Sequence, residues 1–405
     1  MSRNLASSLH LTRRQLLGSA GAVTLAAGMR LPLGRIAAQE ASPAATPAPP
    51  PFPPPSANVT TFAEGLENPR GFRFTADGTI YLAEGGTGGT TSTEGQCEQV
   101  VPPVGPYTGG DTARISTIDA SGKVTTLAEG LASNQSSPDL GNLVSGVADV
   151  DFVGDHLYAL IAGGGCSHGH PDKPNGILRV LADGTTEQVA DLSAWVHANP
   201  VATPNPADFE PDEGAYAMTV LNDALYVAES NHGAIDRVDT ATGDVTRLID
   251  MTETEGHLVP TAIIVGADGN FYVGNLTTFP MVAGAAHVWM ITPDGKMSQF
   301  AEGLTGVLGL AFDDQNRLYV LETSGPAAGG APIVPGTGRV VRLTDSGDLE
   351  EMATGLVFPT AMRFGSDGML YVSNYGFGFP PGTGQIVKID ISGGPMPAAS
   401  PSPMA

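Results

Sequence analysis

Cys166-Ser167-His168-Gly169-His170-Pro171-Asp172 packs a thiol, two imidazoles and a carboxylate into seven residues, the densest metal-competent segment of the chain. Ligands of this kind suit borderline transition metals. A structural zinc site would need a second Cys/His pair, and the sequence has none nearby. Cys97 is the only other cysteine. Both cysteines fall in loops of a chain expected to leave the cytoplasm, so a Cys97–Cys166 disulfide is the preferred use of the two thiols. His168 and His170 are then polar loop residues that, with His257, could act as acid–base groups.

A second set of polar residues recurs at one position of a repeated motif: Glu84, Glu229, Asn275, Glu322 and Asn374. If these carboxylates and amides converge on one axis, with Glu67 beside them, they suit a hard cation such as Ca²⁺ or Mg²⁺. The alternative is that each side chain caps the following turn within its own repeat. Arg70 could hold a substrate carboxylate in bidentate fashion, or pair with the acidic residues around it.

The elements that position these residues are legible. DGTIYLAE (77–84), GDHLYALI (154–161), NDALYVAE (222–229), DGNFYVGN (268–275), QNRLYVLE (315–322) and DGMLYVSN (367–374) each run a tight turn into an apolar, aromatic strand. Their tyrosines, Tyr81, Tyr158, Tyr226, Tyr272, Tyr319 and Tyr371, lie 77, 68, 46, 47 and 52 residues apart. Such a period, with strand signals on both sides of each turn, predicts an all-β, six-bladed β-propeller of four-stranded blades. In the first unit the strands are expected at 70–75, 79–83, 113–119 and 124–128. The period-two alternation of Phe72-Arg73-Phe74 and Ile80-Tyr81-Leu82 supports the first two. An AEGL-type segment closes several units, at 128–131, 301–304 and, as ATGL, 353–356. A further copy, Asn58–Leu66, precedes the first unit, while the last unit stops after its third strand near Asp390. The N-terminal strand should therefore complete the last blade and remove the open edge of the ring. Two long segments, 85–111 and 193–213, interrupt the pattern and read as functional loops or surface decoration.

Charged residues make up only 15 % of the 405, while 53 are glycine, a balance suited to many short strands and tight turns. The first 39 residues carry the twin-arginine pattern Thr12-Arg13-Arg14-Gln15-Leu16-Leu17, an apolar stretch to Leu33, and a small-residue cleavage neighbourhood at Ala37-Ala38-Gln39. Residues 1–39 are thus expected to be a removable export signal, 40–57 a Pro/Ala-rich linker, 58–392 the propeller and 393–405 a disordered tail. Removing five arginines with the signal leaves 14 basic against 42 acidic groups, a formal −28. Such a surface argues against nucleic-acid and anionic-membrane partners. The mature protein is expected in the periplasm or outside the cell, as a monomer.

The units resemble the NHL and gluconolactonase-like propellers. More closely, ENPRGFRFTADGTIYLAEGGTGG (67–89), EGAYAMTVLNDALYVAESNHGAIDRVD (213–239) and VPTAIIVGADGNFYVGNLTTFPMVAGAAHVWMI (259–291) are similar to the ScyD/ScyE family. That family takes its name from pigment biosynthesis. The resemblance spans 58–392 and implies an exported propeller.

Three readings of function follow. The first is a binding or scaffold protein that takes a small molecule or a protein at the channel mouth, using the long loops. The second is a divalent-metal-dependent enzyme, a lactonase-like hydrolase or a lyase. Glu67, Glu229, Asn275 and Glu322 would lie near the cation, with His168, His170 or His257 moving protons. The third is a quinone-dependent sugar dehydrogenase-like protein, which would need several basic residues at the mouth where Arg70 alone is evident.

Overall fold

In a computed structural model, the structure describes residues 52–138, 143–278, 281–325 and 333–396. The expected export signal, most of the expected linker and the end of the expected tail lie outside these residues. The chain forms six antiparallel sheets around one axis. Blade one holds β2 (Pro69–Phe74), β3 (Ile80–Glu84), β4 (Thr108–Ile118), β5 (Val124–Gln135) and β6 (Val144–Ser145). Blade two holds β7 (Val147–Val153), β8 (His156–Ile161), β9 (Gly176–Val180) and β10 (Thr186–Asp191). Blade three holds β11 (Ala215–Leu221), β12 (Ala224–Glu229), β13 (Ala234–Asp239) and β14 (Val245–Asp250). Blade four holds β15 (Pro260–Val265), β16 (Phe271–Asn275), β17 (Ala286–Ile291) and β18 (Met297–Leu304). Blade five holds β19 (Val307–Phe312), β20 (Leu318–Glu322), β21 (Gly338–Leu343) and β22 (Leu349–Leu356). The sixth joins β1 (Val59–Leu66) to β23 (Ala361–Phe364), β24 (Leu370–Asn374) and β25 (Gly384–Ile389), in the order β1-β25-β24-β23.

The clasp is therefore present. Val59 pairs with Ile389 and Leu66 with Gly384, and the Asn58 amide donates to the Asp390 carbonyl at 3.0 Å. Leu66, Phe72, Ile80, Tyr371 and Ile386 share one buried cluster, so the clasp also fills the core between the last blade and the first. Of the linker, Ser56 donates its backbone N–H to Thr354, and Phe52 lies edge-on to Phe379.

The repeated tyrosine has a packing role. Tyr81 meets Phe152 at 5.2 Å, Tyr226 meets Phe271 at 4.4 Å and Tyr272 meets Phe312 at 4.9 Å. Tyr319 meets Phe364 at 5.2 Å, and Tyr371 meets Phe74 at 4.9 Å. Each ring fills the seam with the next blade, where tilted aromatic pairs add to apolar burial.

Blade one departs from the expected four strands. β4 begins five residues before the expected Ala113 and β5 runs seven beyond Ala128, with Thr108 opposite Gln135 and the short β6 added at Asn134. This hairpin projects past the end of β3. The 193–213 segment is not wholly loop either. It opens with α1 (Leu192–Ala198), whose first turn is capped by the Asp191 carboxylate accepting from the Ala194 N–H at 2.7 Å. Among the described residues no helix is long and apolar enough to cross a membrane.

Candidate functional site

The six innermost strands, β2, β7, β11, β15, β19 and β23, line the axis, and their register divides it into layers. Opposite the repeated tyrosines stand Arg73, Asp151, Thr219, Ile264, Ala311 and Arg363. Two residues earlier come Gly71, Asp149, Ala217, Ala262, Gly309 and Ala361, and all six line one axial pocket. Before that layer the blade registers slip by a bulge. It turns Tyr216, Thr261 and Leu308 to the same pocket, which Thr360, just ahead of β23, also lines, beside Arg70 at the corresponding place in β2. The pocket thus runs from the face where the chain enters each innermost strand, here the mouth, down to Arg363.

Five side chains of the middle layer are no larger than a methyl group. Asp149 is the exception, and it fits because Gly71 faces it: a Cβ on Gly71 would lie 1.9 Å from the Asp149 Oδ1. Asp149 accepts from the backbone N–H groups of Val150 at 2.9 Å and Met218 at 3.0 Å, and from Arg73 at 3.2 Å. Arg73 also pairs with Asp151 at 2.8 Å and donates to the Met218 carbonyl at 2.7 Å. Burial pushes the Asp149 carboxyl above its ordinary range, and Arg73 opposes that shift. Burial, with Arg73 close by, pushes Arg363 down to about 10.

The residues that end the second strands are turned away from this pocket. Glu84 accepts from the Glu67 N–H at 2.6 Å, Arg114 Nε at 2.8 Å and Ser116 at 2.5 Å. Glu229 accepts from the N–H groups of Gly214 at 3.1 Å and His232 at 2.6 Å. Asn275 accepts from the His287 N–H and Asn374 from that of Val357. Glu322 accepts from the Thr305 N–H at 2.6 Å and from Arg339. Each therefore fastens turns of its own blade. Among the described residues no three His, Cys, Asp or Glu side chains are grouped to hold a metal ion. A resident cation does not fit a donor set whose oxygens already serve backbone N–H groups and arginines.

Blade three breaks the pattern. Where Glu84 faces Arg114 and Glu322 faces Arg339, Glu229 faces Ala234. In that blade Glu213 is fully buried, sits at φ 78° and has neither carboxyl oxygen bonded. Burial, with Glu229 and Asp236 nearby, pushes its carboxyl well above the ordinary range. Asp236, bonded to Arg247 at 3.2 Å through one oxygen only, is pushed up by burial to about 6.

Over blades one to three the long loops interlock. Cys97 and Cys166 form a disulfide. Tyr107 donates to Glu210 at 2.8 Å and stacks on His168, and Ser167 donates its N–H to Asp212 at 2.6 Å. The expected mouth histidines are tied into this rim. His168 is fully buried, with Nδ1 at 2.5 Å from the Gly164 carbonyl; His170 Nε2 lies 2.9 Å from the Ser133 carbonyl; His257 Nε2 lies 3.1 Å from Asp208. None of the three lines the axial pocket. The rings of His168 and His170 thus meet backbone carbonyls, groups that need a donor when buried, and His257 meets the Asp208 carboxylate.

Arg70, singled out from the sequence, stands on an innermost strand, whereas Arg73, Asp236 and Arg363 were not singled out. A signal for two of them exists: each is an arginine flanked by apolar residues inside an alternating strand, Phe72-Arg73-Phe74 and Met362-Arg363-Phe364.

No family model matches the chain, and no curated protein matches it. Similar solved structures do exist. A Bacteroides thetaiotaomicron protein of unknown function is 13% identical, covering 83% of this chain and 76% of its own, with a TM-score of 0.51. A gluconolactonase from Xanthomonas campestris is 12% identical, covering 82% and 89%, with a TM-score of 0.50. The solved neighbours are six-bladed propellers. At these identities the likeness is one of fold alone. The virginiamycin B lyase of Staphylococcus aureus, at 15% identity and covering 82% and 98%, has a TM-score of 0.44.

Proposed function

We propose that this chain is an exported, monomeric ScyD/ScyE-like propeller that binds a small molecule at the mouth of its channel. Export by the twin-arginine route to the periplasm or beyond is part of the same reading. One observation carries it: all six blades wall the axial pocket, while the carboxylates at the strand ends are already bonded within their blades. A rim of interlocked loops over blades one to three frames that mouth with little left to order on binding. Native mass spectrometry of the mature protein against small organic molecules tests the reading. Bound species should disappear in Leu308→Trp, whose indole fills the pocket, while the melting temperature holds. Ligands that bind that variant as well as the wild type would overturn it.

A second reading, a lactonase-like hydrolase or lyase, is favoured by Glu213 alone. A carboxyl that burial raises well above its ordinary range holds its proton more firmly than an exposed carboxylate and can serve as a general acid. Loss of lactone turnover in Glu213→Gln, with ligand binding intact, would select it.

A further inference from the structure

The described residues include ten arginines, in a protein whose acidic groups outnumber its basic ones 42 to 19. Eight of them, Arg73, Arg114, Arg179, Arg237, Arg247, Arg317, Arg339 and Arg342, have a carboxylate within 4 Å. The two that have none are Arg70 and Arg363, and both stand on innermost strands at the axis. A guanidinium taken from water without a carboxylate in direct contact is costly, and at Arg363 the charges of Asp149 and Asp151, both already held by Arg73, only partly offset burial. That both exceptions lie along one channel points to a counter-ion that comes from outside.

The local chemistry narrows what that ion is. Arg363 donates through Nη1 to the carbonyls of Met362 at 2.9 Å and Leu310 at 3.5 Å; its Nε and Nη2 donate to no protein group among the described residues. These two N–H groups form one edge of the planar fork that matches a carboxylate. Asp149 and Asp151 do not compete for that edge, because Arg73 and backbone N–H groups hold them. Above Arg363 the wall includes Ala262, Ile263, Leu308 and Ala361, and the hydroxyls of Thr261, Thr360 and Tyr216 in the same wall already donate to the carbonyls of Val307, Pro69 and Thr360, so an unbranched aliphatic chain finds mainly apolar contact there. Arg70, at the mouth, donates to the Val144 carbonyl at 2.5 Å and lies 5.9 Å from the Tyr216 ring centroid, so it forms a positive collar on the way in.

We propose that the axial pocket binds a short, unbranched aliphatic monocarboxylate, its carboxylate on the Nε–Nη2 edge of Arg363 and its chain along Ala262, Ile263 and Leu308 toward Arg70. The inference rests on the mouth-binding reading above and names the ligand class for it. Loss of the guanidinium's desolvation strain on binding gives the site its preference for an anion over an isosteric amide.

Isothermal titration with butyrate, formate, butyramide and chloride tests it on the full mature protein. Butyrate should bind at least tenfold more tightly than butyramide, and more tightly than formate or chloride. Arg363→Gln should weaken butyrate at least tenfold and leave butyramide unchanged. Arg363→Lys, which keeps the charge and loses the fork, should give an intermediate loss and serves if the glutamine variant does not fold. In crystals grown with 4-bromobutyrate, the anomalous bromine peak should lie on the mouth side of Arg363. Equal binding of butyrate and butyramide, equal binding of butyrate and chloride, or an unaltered Arg363→Lys would each overturn the proposal. If butyrate fails while another compound binds wild type and not Leu308→Trp, the ligand class is wrong and the mouth-binding reading stands.

Discussion

Asp236 and Glu213 are carboxyls placed where their charged forms are poorly solvated, so folding and protonation are linked at both. For Asp236 the folded-state value is raised from 3.8 to about 6. Its stabilising contribution is therefore complete below pH 4 and is lost as the pH climbs through 6. A shift of that size corresponds to on the order of 3 kcal/mol between those limits. Glu213 shifts in the same direction, for the same cause. The melting temperature should be higher at pH 5 than at pH 7.5, and Asp236→Asn should remove a large part of the difference. A flat profile for the wild type between those values would refute the linkage. None of this was legible beforehand. Asp236 reads as an ordinary polar residue of a strand, and only the third dimension shows that Ala234 stands where blades one and five carry Arg114 and Arg339.

The elements were far easier to read than the residues. The turn-and-strand motif with its tyrosine fixed the second strand of every blade, since the tyrosine has one geometrically suitable place in the seam. The clasp was legible as well, from one extra AEGL-type segment at the start and one missing strand at the end. Leu66, fully buried in the clasp, gives a measure of it. Leu66→Ala should cost about 2–5 kcal/mol in denaturant melts, whereas a loosely attached strand would show almost no loss. The extensions of β4 and β5 are not legible because Gly109 and Gly110 have poor strand propensity and become strand only by pairing with Asn134 and Ser133. Helix α1 was hidden by its seven-residue length. The Cys97–Cys166 link closes a separation of 69 residues, for which the chain-entropy account allows about 4 kcal/mol. Reductant should therefore lower the melting temperature and expose two titratable thiols; an unchanged melt with both thiols titrating would show that the interlocked loops hold the rim unaided.

At the scale of the whole molecule, charge and topology set the terms. With 42 acidic residues the surface should keep phosphate-rich polymers and anionic vesicles at a distance at physiological salt. Retention on a heparin or nucleic-acid column at 0.15 M salt would contradict that expectation. The same field makes the two unpaired arginines of the axis a local inversion, sheltered from bulk solvent and its screening ions. The closure of the ring has a further consequence. Asn58 bonds to the carbonyl of Asp390, 332 positions away, so the two ends of the propeller are neighbours and the circle has no structural beginning. A chain whose ends were joined there and reopened at the exposed Asp268–Gly269 turn would trace the same circle, with blade four sewn shut by both termini in place of blade six. The order in which the blades are written in the chain is, for the finished molecule, a matter of where one starts counting.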